Sequence, residues 1–147
     1  AGRALAGFGL TEPEAGSDAG GTRTAARLEG DEWVIDGSKQ FITNSGTPIT
    51  RFVTVTAVTG PRTEGGRGEI STIIVPNGTP GFTVGPAYDK VGWNASDTHP
   101  LTFDDVRATF PRAMYYRSRY TVLDVARELG WFDDLVEEVF APGGLWT

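Results

Sequence analysis

The chain contains no cysteine, a single histidine and no long apolar run. Without cysteine, disulfide bonds, thiolate metal ligands and a cysteine nucleophile are all excluded. One histidine, His99, cannot build a multi-histidine metal site within one chain, so no metal is expected. No segment approaches the roughly 20 apolar residues that a membrane-spanning helix needs. The N-terminal segment is too short and too weakly apolar for a secretory signal, so we expect a cytoplasmic protein.

Positive charge is also scarce. The 13 lysine and arginine residues are outnumbered by 19 acidic residues, which gives a net charge of −6. A protein that binds nucleic acid or an anionic membrane normally presents a basic face, so neither partner is expected. The 147 residues, 39% hydrophobic and 22% charged, have the size and composition of one soluble globular domain.

Most of the chain, residues 1–108, consists of short β-branched runs separated by turn dipeptides. The runs are Thr22–Leu28, Trp33–Ile35, Phe52–Val58, Ile70–Val75, Phe82–Val84 and Leu101–Phe103. This spacing predicts a mainly β domain, either a barrel or a sandwich. Glu29–Glu32 is expected to form a hairpin turn, and Asn77-Gly78 with Pro80-Gly81 a second reversal. The glycine-rich segment Gly60–Glu69 is expected to be an exposed loop.

Residues 109–147 have a different pattern. Apolar residues recur there at alternating spacings of three and four, at Val122, Val125, Leu129, Phe132, Val136 and Val139. Such spacing predicts a short helical C-terminal tail, which Gly130 divides into two helices. The apolar stripe must face either the β domain or a missing partner.

Two segments of the β-rich region carry groups that suit a ligand. In the first, Leu10–Asp18, a strand-like lead runs into a loop. Gly16 lets a backbone approach a ligand closely. The hydroxyls and backbone N–H groups of Thr11 and Ser17 suit phosphate or carbonyl oxygens. The alternative, an ordinary turn, stays open on these residues alone.

The second segment, Gly37–Asn44, alternates like a strand. Its alternation would place Phe41 and Thr43 on one face. An aromatic plate with a hydroxyl beside it suits a flat heteroaromatic ring. The alternative is a strand whose Phe41 belongs to the core.

The order and spacing of these and later segments resemble the middle domain of the acyl-CoA dehydrogenase family. The segments are LTEPEAGSD from Leu10, GDEWVIDGSKQFITN from Gly30, GTPGFTVG from Gly78, KVGWNASDT from Lys90 and LTFDDVRA from Leu101. Together they cover roughly residues 5–108. The resemblance implies a β-barrel of about seven or eight strands, which lies between two helical domains in complete members.

The resemblance also implies an FAD cofactor and an acyl-CoA thioester as partner. The expected FAD-binding residues are Leu10, Thr11, Gly16, Ser17, Phe41 and Thr43. By resemblance, Thr11 and the Leu10 backbone would contact the pyrimidine side of the flavin. Gly16 and Ser17 would lie along its ribityl-phosphate arm, and Ser17 would also reach the CoA side as a substrate-binding residue.

The second segment would hold the flavin ring. Phe41 stands where the family usually has tryptophan, and it would pack on the isoalloxazine with less area. Thr43 would hydrogen-bond near flavin N5, the atom that receives hydride.

Elsewhere the sequence departs from the family pattern. Asn94 replaces a residue that is basic in many members, and His99-Pro100 is expected to interrupt a strand at an edge or bulge.

The family's catalytic base lies in a C-terminal helical domain that residues 109–147 do not resemble. Glu128, Glu137 and Glu138 fit the solvated face of a helix, and His99 has little to support it as a base. Asp18, Asp104 and Asp105 fit turns or caps, and the Arg117 and Arg119 cluster fits a solvated surface. No catalytic residue is therefore predicted, and the isolated chain is expected to be inactive.

The sequence is thus expected to be part of an FAD-dependent acyl-CoA dehydrogenase, an oxidoreductase acting on the CH–CH group of acyl-CoA thioesters. One alternative is a non-catalytic flavin- or CoA-binding or assembly module that needs a helical partner subunit. A homo-oligomer is also compatible with the sequence. Another alternative is a related flavoprotein with the same middle fold, such as an acyl-CoA oxidase, a nitroalkane oxidase or a flavin-dependent monooxygenase.

Overall fold

The computed structural model describes residues 3–61, 68–109 and 113–114, and within them the backbone forms eight strands and one 3-10 helix. The strands are β1 (Leu5–Gly9), β2 (Ala25–Glu29), β3 (Glu32–Thr43), β4 (Thr50–Val58), β5 (Ile70–Pro76), β6 (Phe82–Val84), β7 (Thr98–Thr109) and β8 (Ala113–Met114). The 3-10 helix is Ala19–Gly21. No helix in these described ranges is long and apolar enough to cross a membrane.

The strands form a single curled sheet in the order β6-β7-β3-β2-β4-β5-β8. Most neighbours are antiparallel, and β1 pairs with β4 in parallel. The predicted hairpin joins β2 to β3, where Glu29 pairs with Glu32. The mainly β prediction is therefore confirmed.

The buried apolar side chains of the sheet are mostly aliphatic. The fully buried apolar residues are Val34, Ile35, Val53, Val55, Ala57, Ile73, Val75, Leu101 and Val106. They come from β3, β4, β5 and β7, which carry most of the packing. Burying one such side chain contributes roughly 1.5–3 kcal/mol, so this cluster is the main source of stability for the sheet.

Two strand predictions need correction. The run that was predicted to start at Thr22 enters the sheet only at Ala25. Thr22 and Thr24 are buried, but the Thr22 hydroxyl and the Thr24 backbone N–H donate to a carboxylate instead of joining a ladder. The short run predicted at Trp33–Ile35 is the start of a strand of 12 residues. Residues 62–67 of the predicted loop lie outside the described residues. The predicted tail also lies outside them, apart from residues 109 and 113–114.

An irregularity in β3 faces Pro100 of β7. Lys39 pairs with Leu101, but the next pair along is Ile42 with His99, so β3 has extra residues at this point. Proline has no N–H to give to a ladder, which favours a bulge opposite it. The predicted strand interruption at His99-Pro100 is therefore wrong, because β7 runs through it, whereas the predicted bulge is present in the neighbouring strand. Phe41 lies in this bulge with a φ of 60°.

The reversal between β5 and β6 provides a test of backbone strain. Gly78 and Gly81 have nearly the same φ, 83° and 81°. A Cβ on Gly81 would lie 2.1 Å from the carbonyl oxygen of Asp104, whereas a Cβ on Gly78 would meet nothing within 4 Å. We expect Gly78→Ala to cost roughly 1–2 kcal/mol through its positive φ alone. Gly81→Ala should cost clearly more, measured by urea unfolding followed by tryptophan fluorescence.

Gly78→Ala is the matched control, because it carries the same conformational strain without the steric clash. Equal losses of unfolding free energy for the two variants would show that the contact with Asp104 does not restrict residue 81.

Candidate functional site

A buried ion pair lies between the two segments that carry the predicted ligand groups. The Lys39 ammonium is 2.7 Å from Oε1 of Glu12, and the two residues are 1% and 4% exposed. Lys39 also donates to the carbonyl of Leu10 at 3.2 Å, to Thr22 Oγ1 at 3.1 Å and to Thr56 Oγ1 at 3.0 Å. Every hydrogen of the ammonium therefore has an acceptor, which offsets much of the cost of burying the charge.

The Glu12 carboxylate is equally well bound. It accepts hydrogen bonds from the Thr22 hydroxyl, from the backbone N–H of Arg23 at 2.7 Å and from that of Thr24 at 3.0 Å. Burial alone would raise the pKa of Glu12, but the hydrogen bonds from Lys39, Thr22, Thr24 and Arg23 lower it to about 2. Glu12 is therefore a fixed anion at neutral pH.

The ion pair fixes the first segment against β3. The backbone N–H of Gln40 donates to the carbonyl of Thr11 at 2.9 Å, directly beside the Lys39 contact with Leu10. Glu12 and Ala15 then exchange backbone hydrogen bonds of 3.0 and 3.3 Å across a tight turn. The chain around Thr11 is thus held next to the β3 bulge.

Phe41 and Thr43 lie on one side of β3, as the alternation predicted, and that side is the outer one. Both residues are exposed, Phe41 by 56%, and they flank the buried Ile42. The Phe41 ring contacts the ring of Tyr88, with centroids 4.9 Å apart. Thr43 pairs with Thr98 of β7. The alternative of a core Phe41 is therefore wrong.

Gly16 and Ser17 follow the tight turn and are both exposed. A Cβ on Gly16 would meet nothing within 4 Å, so that side of the loop is open. Within the described residues, contacts bring Thr11 together with β3 but do not join Gly16 or Ser17 to Phe41. A surface pocket of about 170 Å³ lies beside the ion pair, lined by Glu12, Pro13, Glu14, Arg23, Thr24, Gly37 and Ser38. It contains none of the six predicted FAD-binding residues.

Sequence reasoning missed Glu12 and Lys39 as structural residues of the site. No local signal marked Lys39 as buried, because a lysine in a strand normally indicates a solvated face.

His99 has both ring nitrogens occupied. Nδ1 is 2.7 Å from the carbonyl of Gly85 and Nε2 is 2.8 Å from Oδ1 of Asp97, whose other oxygen accepts from the N–H of Gly46. Burial opposes protonation, but the bonds to Gly85 and Asp97 raise the pKa of His99. These contacts join the β3–β4 loop to the β6–β7 connection, close to the start of β7. They agree with the interpretation of His99 as a structural residue.

Comparisons with known proteins agree with this geometry. The family model described as the middle domain of acyl-CoA dehydrogenase matches residues 7–106. The Bacillus subtilis protein named "Probable acyl-CoA dehydrogenase YngJ" is 53% identical over 106 residues, which are 72% of this chain and 27% of that protein. The butyryl-CoA dehydrogenase structure from Megasphaera elsdenii is 40% identical with a TM-score of 0.67, over 75% of this chain and 28% of that one.

A third similar structure contains a reduced flavin. The glutaryl-CoA dehydrogenase of Mycobacterium smegmatis, solved in complex with FADH2, is 38% identical with a TM-score of 0.65, over 75% of this chain and 26% of that one. This chain therefore spans about a quarter of the length of the relatives that it matches.

The curled sheet has the fold of an acyl-CoA dehydrogenase middle domain. The chain belongs to the acyl-CoA dehydrogenase family, whose middle-domain model matches it from residue 7 to residue 106.

The ion pair gives a direct prediction about stability. Lys39→Met leaves the Glu12 carboxylate buried without its cation, and we expect it to lower the free energy of unfolding by about 3–5 kcal/mol. Glu12→Gln should cost a similar amount. The double variant should regain part of the loss, because neither charge is then left unpaired. Urea unfolding at pH 7 measures all three.

Lys90→Met is the matched control, because its ammonium binds the Ser96 carbonyl and the Thr98 hydroxyl instead of a carboxylate. It should cost less than Lys39→Met.

The lowered pKa of Glu12 adds a pH test. The stability that the ionised Glu12 contributes is present above about pH 4.5 and is lost as the pH falls toward 2. Glu12→Gln should lack this component. Additive losses in the double variant would contradict the coupling.

Proposed function

We propose that this chain is the flavin-binding middle domain of an FAD-dependent acyl-CoA dehydrogenase, which oxidises the CH–CH bond next to an acyl thioester. The observation that carries the proposal is the outer side of β3. There the exposed ring of Phe41 and the exposed Thr43 stand next to the anchored backbone of Thr11. The family membership of residues 7–106 supports assigning these groups to a flavin.

The chemistry of these residues fits an isoalloxazine ring. Phe41 offers an aromatic ring on a residue that is 56% exposed. Within the described residues, the hydroxyls of Thr11, Ser17 and Thr43 have no protein partner, so they are available for a ligand. Gly16 adds an open stretch of backbone suited to a phosphate arm.

The roles of these residues follow from the proposal. Bound FAD would supply the chemistry by accepting the hydride that leaves the β-carbon of the acyl group. Phe41 would hold the ring plane, Thr43 would hydrogen-bond close to N5, and Thr11 with the Leu10 backbone would bind the pyrimidine side. Gly16 and Ser17 would bind the ribityl-phosphate arm, and Ser17 would contact the CoA substrate. Alignment of this kind can lower a barrier by several kcal/mol.

Removal of the α-proton needs a carboxylate base, and we assign none in this chain. In the described residues, Glu12 is buried in its ion pair and His99 has both nitrogens engaged. We therefore propose that the base comes from another part of a longer protein or from a helical partner subunit. Association of two or more copies is a further proposal, and a cytoplasmic location stays a prediction.

The proposal predicts that the purified chain binds FAD. After incubation with FAD and desalting, we expect a flavin absorbance band that is retained with the protein. Thr43→Val should weaken FAD binding, because it removes the hydroxyl and keeps the size and β-branched shape of the side chain. The dissociation constant is measured by quenching of flavin fluorescence.

Thr83→Val on β6 is the control, because Thr83 is also an exposed strand threonine but pairs with Thr102, away from β3. It should bind FAD like the wild type. A folded wild-type chain that retains no flavin and shows no quenching at high FAD concentration would contradict the proposed function.

The absence of an assigned base predicts that the FAD-loaded chain does not react with acyl-CoA. Anaerobic addition of butyryl-CoA should leave the flavin absorbance oxidised, whereas dithionite should bleach it completely. Appreciable bleaching by butyryl-CoA would show that the chain contains a base that is not assigned above.

A further inference from the structure

The backbone at Phe41 is fixed, but this does not by itself fix the ring. On one side Lys39 is held in its ion pair, and Gln40 is bonded to Thr11. On the other side Ile42 is buried in the core. Phe41 itself has a φ of 60° and lies in the bulge, where its side chain points away from the core and remains 56% exposed. A half-exposed ring has several rotamers open to it unless a neighbour restricts them.

Tyr88 is that neighbour. Its ring lies with its centroid 4.9 Å from that of Phe41 and with the two planes inclined by 42°. This separation and tilt are typical of a favourable aromatic pair. Tyr88 comes from the long connection between β6 and β7, which is remote in sequence from β3, so the contact is a product of the fold.

The position of Tyr88 is fixed by β7, the strand that pairs with β3 beside the site. Its backbone N–H donates to the carbonyl of Thr98 at 3.1 Å, and Thr98 is the residue that pairs with Thr43. Lys90 donates to the Thr98 hydroxyl at 2.9 Å and so ties the same connection to β7. Tyr88 is therefore held next to both residues of β3 that are assigned to the flavin ring.

We propose that Tyr88 is a positioning residue for the flavin site, whose ring supports Phe41 and keeps it in the orientation that stacks on the isoalloxazine. This inference rests on the proposed function and deepens it. Because Tyr88 restricts the Phe41 ring before the flavin binds, less conformational freedom is lost on binding.

A double-mutant cycle on the 147-residue chain tests this role. Tyr88→Ala should weaken FAD binding by roughly 2- to 10-fold, the effect expected of one aromatic pair. Tyr88→Phe keeps the ring and should bind FAD within about 2-fold of the wild type. In a Phe41→Ala background, Tyr88→Ala should have little further effect. Equal effects of Tyr88→Ala in the two backgrounds would overturn the inference. Circular dichroism checks that each variant is folded.

A second readout needs no flavin. In the NMR spectrum of the FAD-free chain, the ring protons of Phe41 should shift when Tyr88 is replaced by alanine, and should stay nearly in place in Tyr88→Phe. An unchanged Phe41 signal in Tyr88→Ala would overturn the support of one ring by the other.

The two readouts separate the inference from the proposed function. If the wild type binds no FAD, the proposed function fails and the flavin part of this inference is overturned with it, even where the NMR shift shows that Tyr88 supports Phe41. If the wild type binds FAD and Tyr88→Ala binds it equally well, the inference fails while the proposed function stands.

Discussion

The arrangement of the site depends on one buried cation and its anion. Taking Lys39 and Glu12 out of water costs several kcal/mol for each charge, and a pair of this kind persists only when the remaining hydrogen-bonding groups are satisfied. Both sides meet that condition here, through hydroxyls and backbone groups drawn from three parts of the chain, at Leu10, at Thr22–Thr24 and at Thr56. Because the pair requires all of these partners at once, it specifies how the Thr11 segment lies on β3.

The pair also explains why β2 starts late. Thr22 and Thr24 have the β-branched shape that favours strands, but the Thr22 hydroxyl and the Thr24 backbone N–H donate to Glu12. The ladder with β3 can begin only beyond them, at Ala25. A similar division exists along β3, where Lys39 and Ile42 are buried and Phe41 and Thr43 are exposed. With the bulge opposite Pro100, the same strand places Lys39 and Ile42 in the interior and Phe41 and Thr43 on the outer surface.

Much of the fold could be predicted from the sequence, because β-branched runs, glycine turns and strand alternation are local signals. They predicted the hairpin at Glu29–Glu32 and the placement of Phe41 and Thr43 on one face of a strand. The burial of Lys39 could not be read in this way, since an isolated lysine in a strand normally indicates a solvated face. The positive φ of Phe41 and the contact with Tyr88 depend on the register of β3 against β7, which no local pattern contains.

The parallel pairing of β1 with β4 bears on the order in which the domain folds. Leu5 meets Thr50 and Gly9 meets Val55, so this contact closes a long loop, whereas the β2–β3 and β4–β5 ladders join strands that follow each other in sequence. Contacts across long loops tend to form after local ones, because the entropy cost of closing the loop must be overcome first. The segment that leads from β1 into Thr11 would then dock late, onto a sheet already assembled. A ligand bound at this segment would stabilise the completed domain and would bind earlier folding intermediates only weakly.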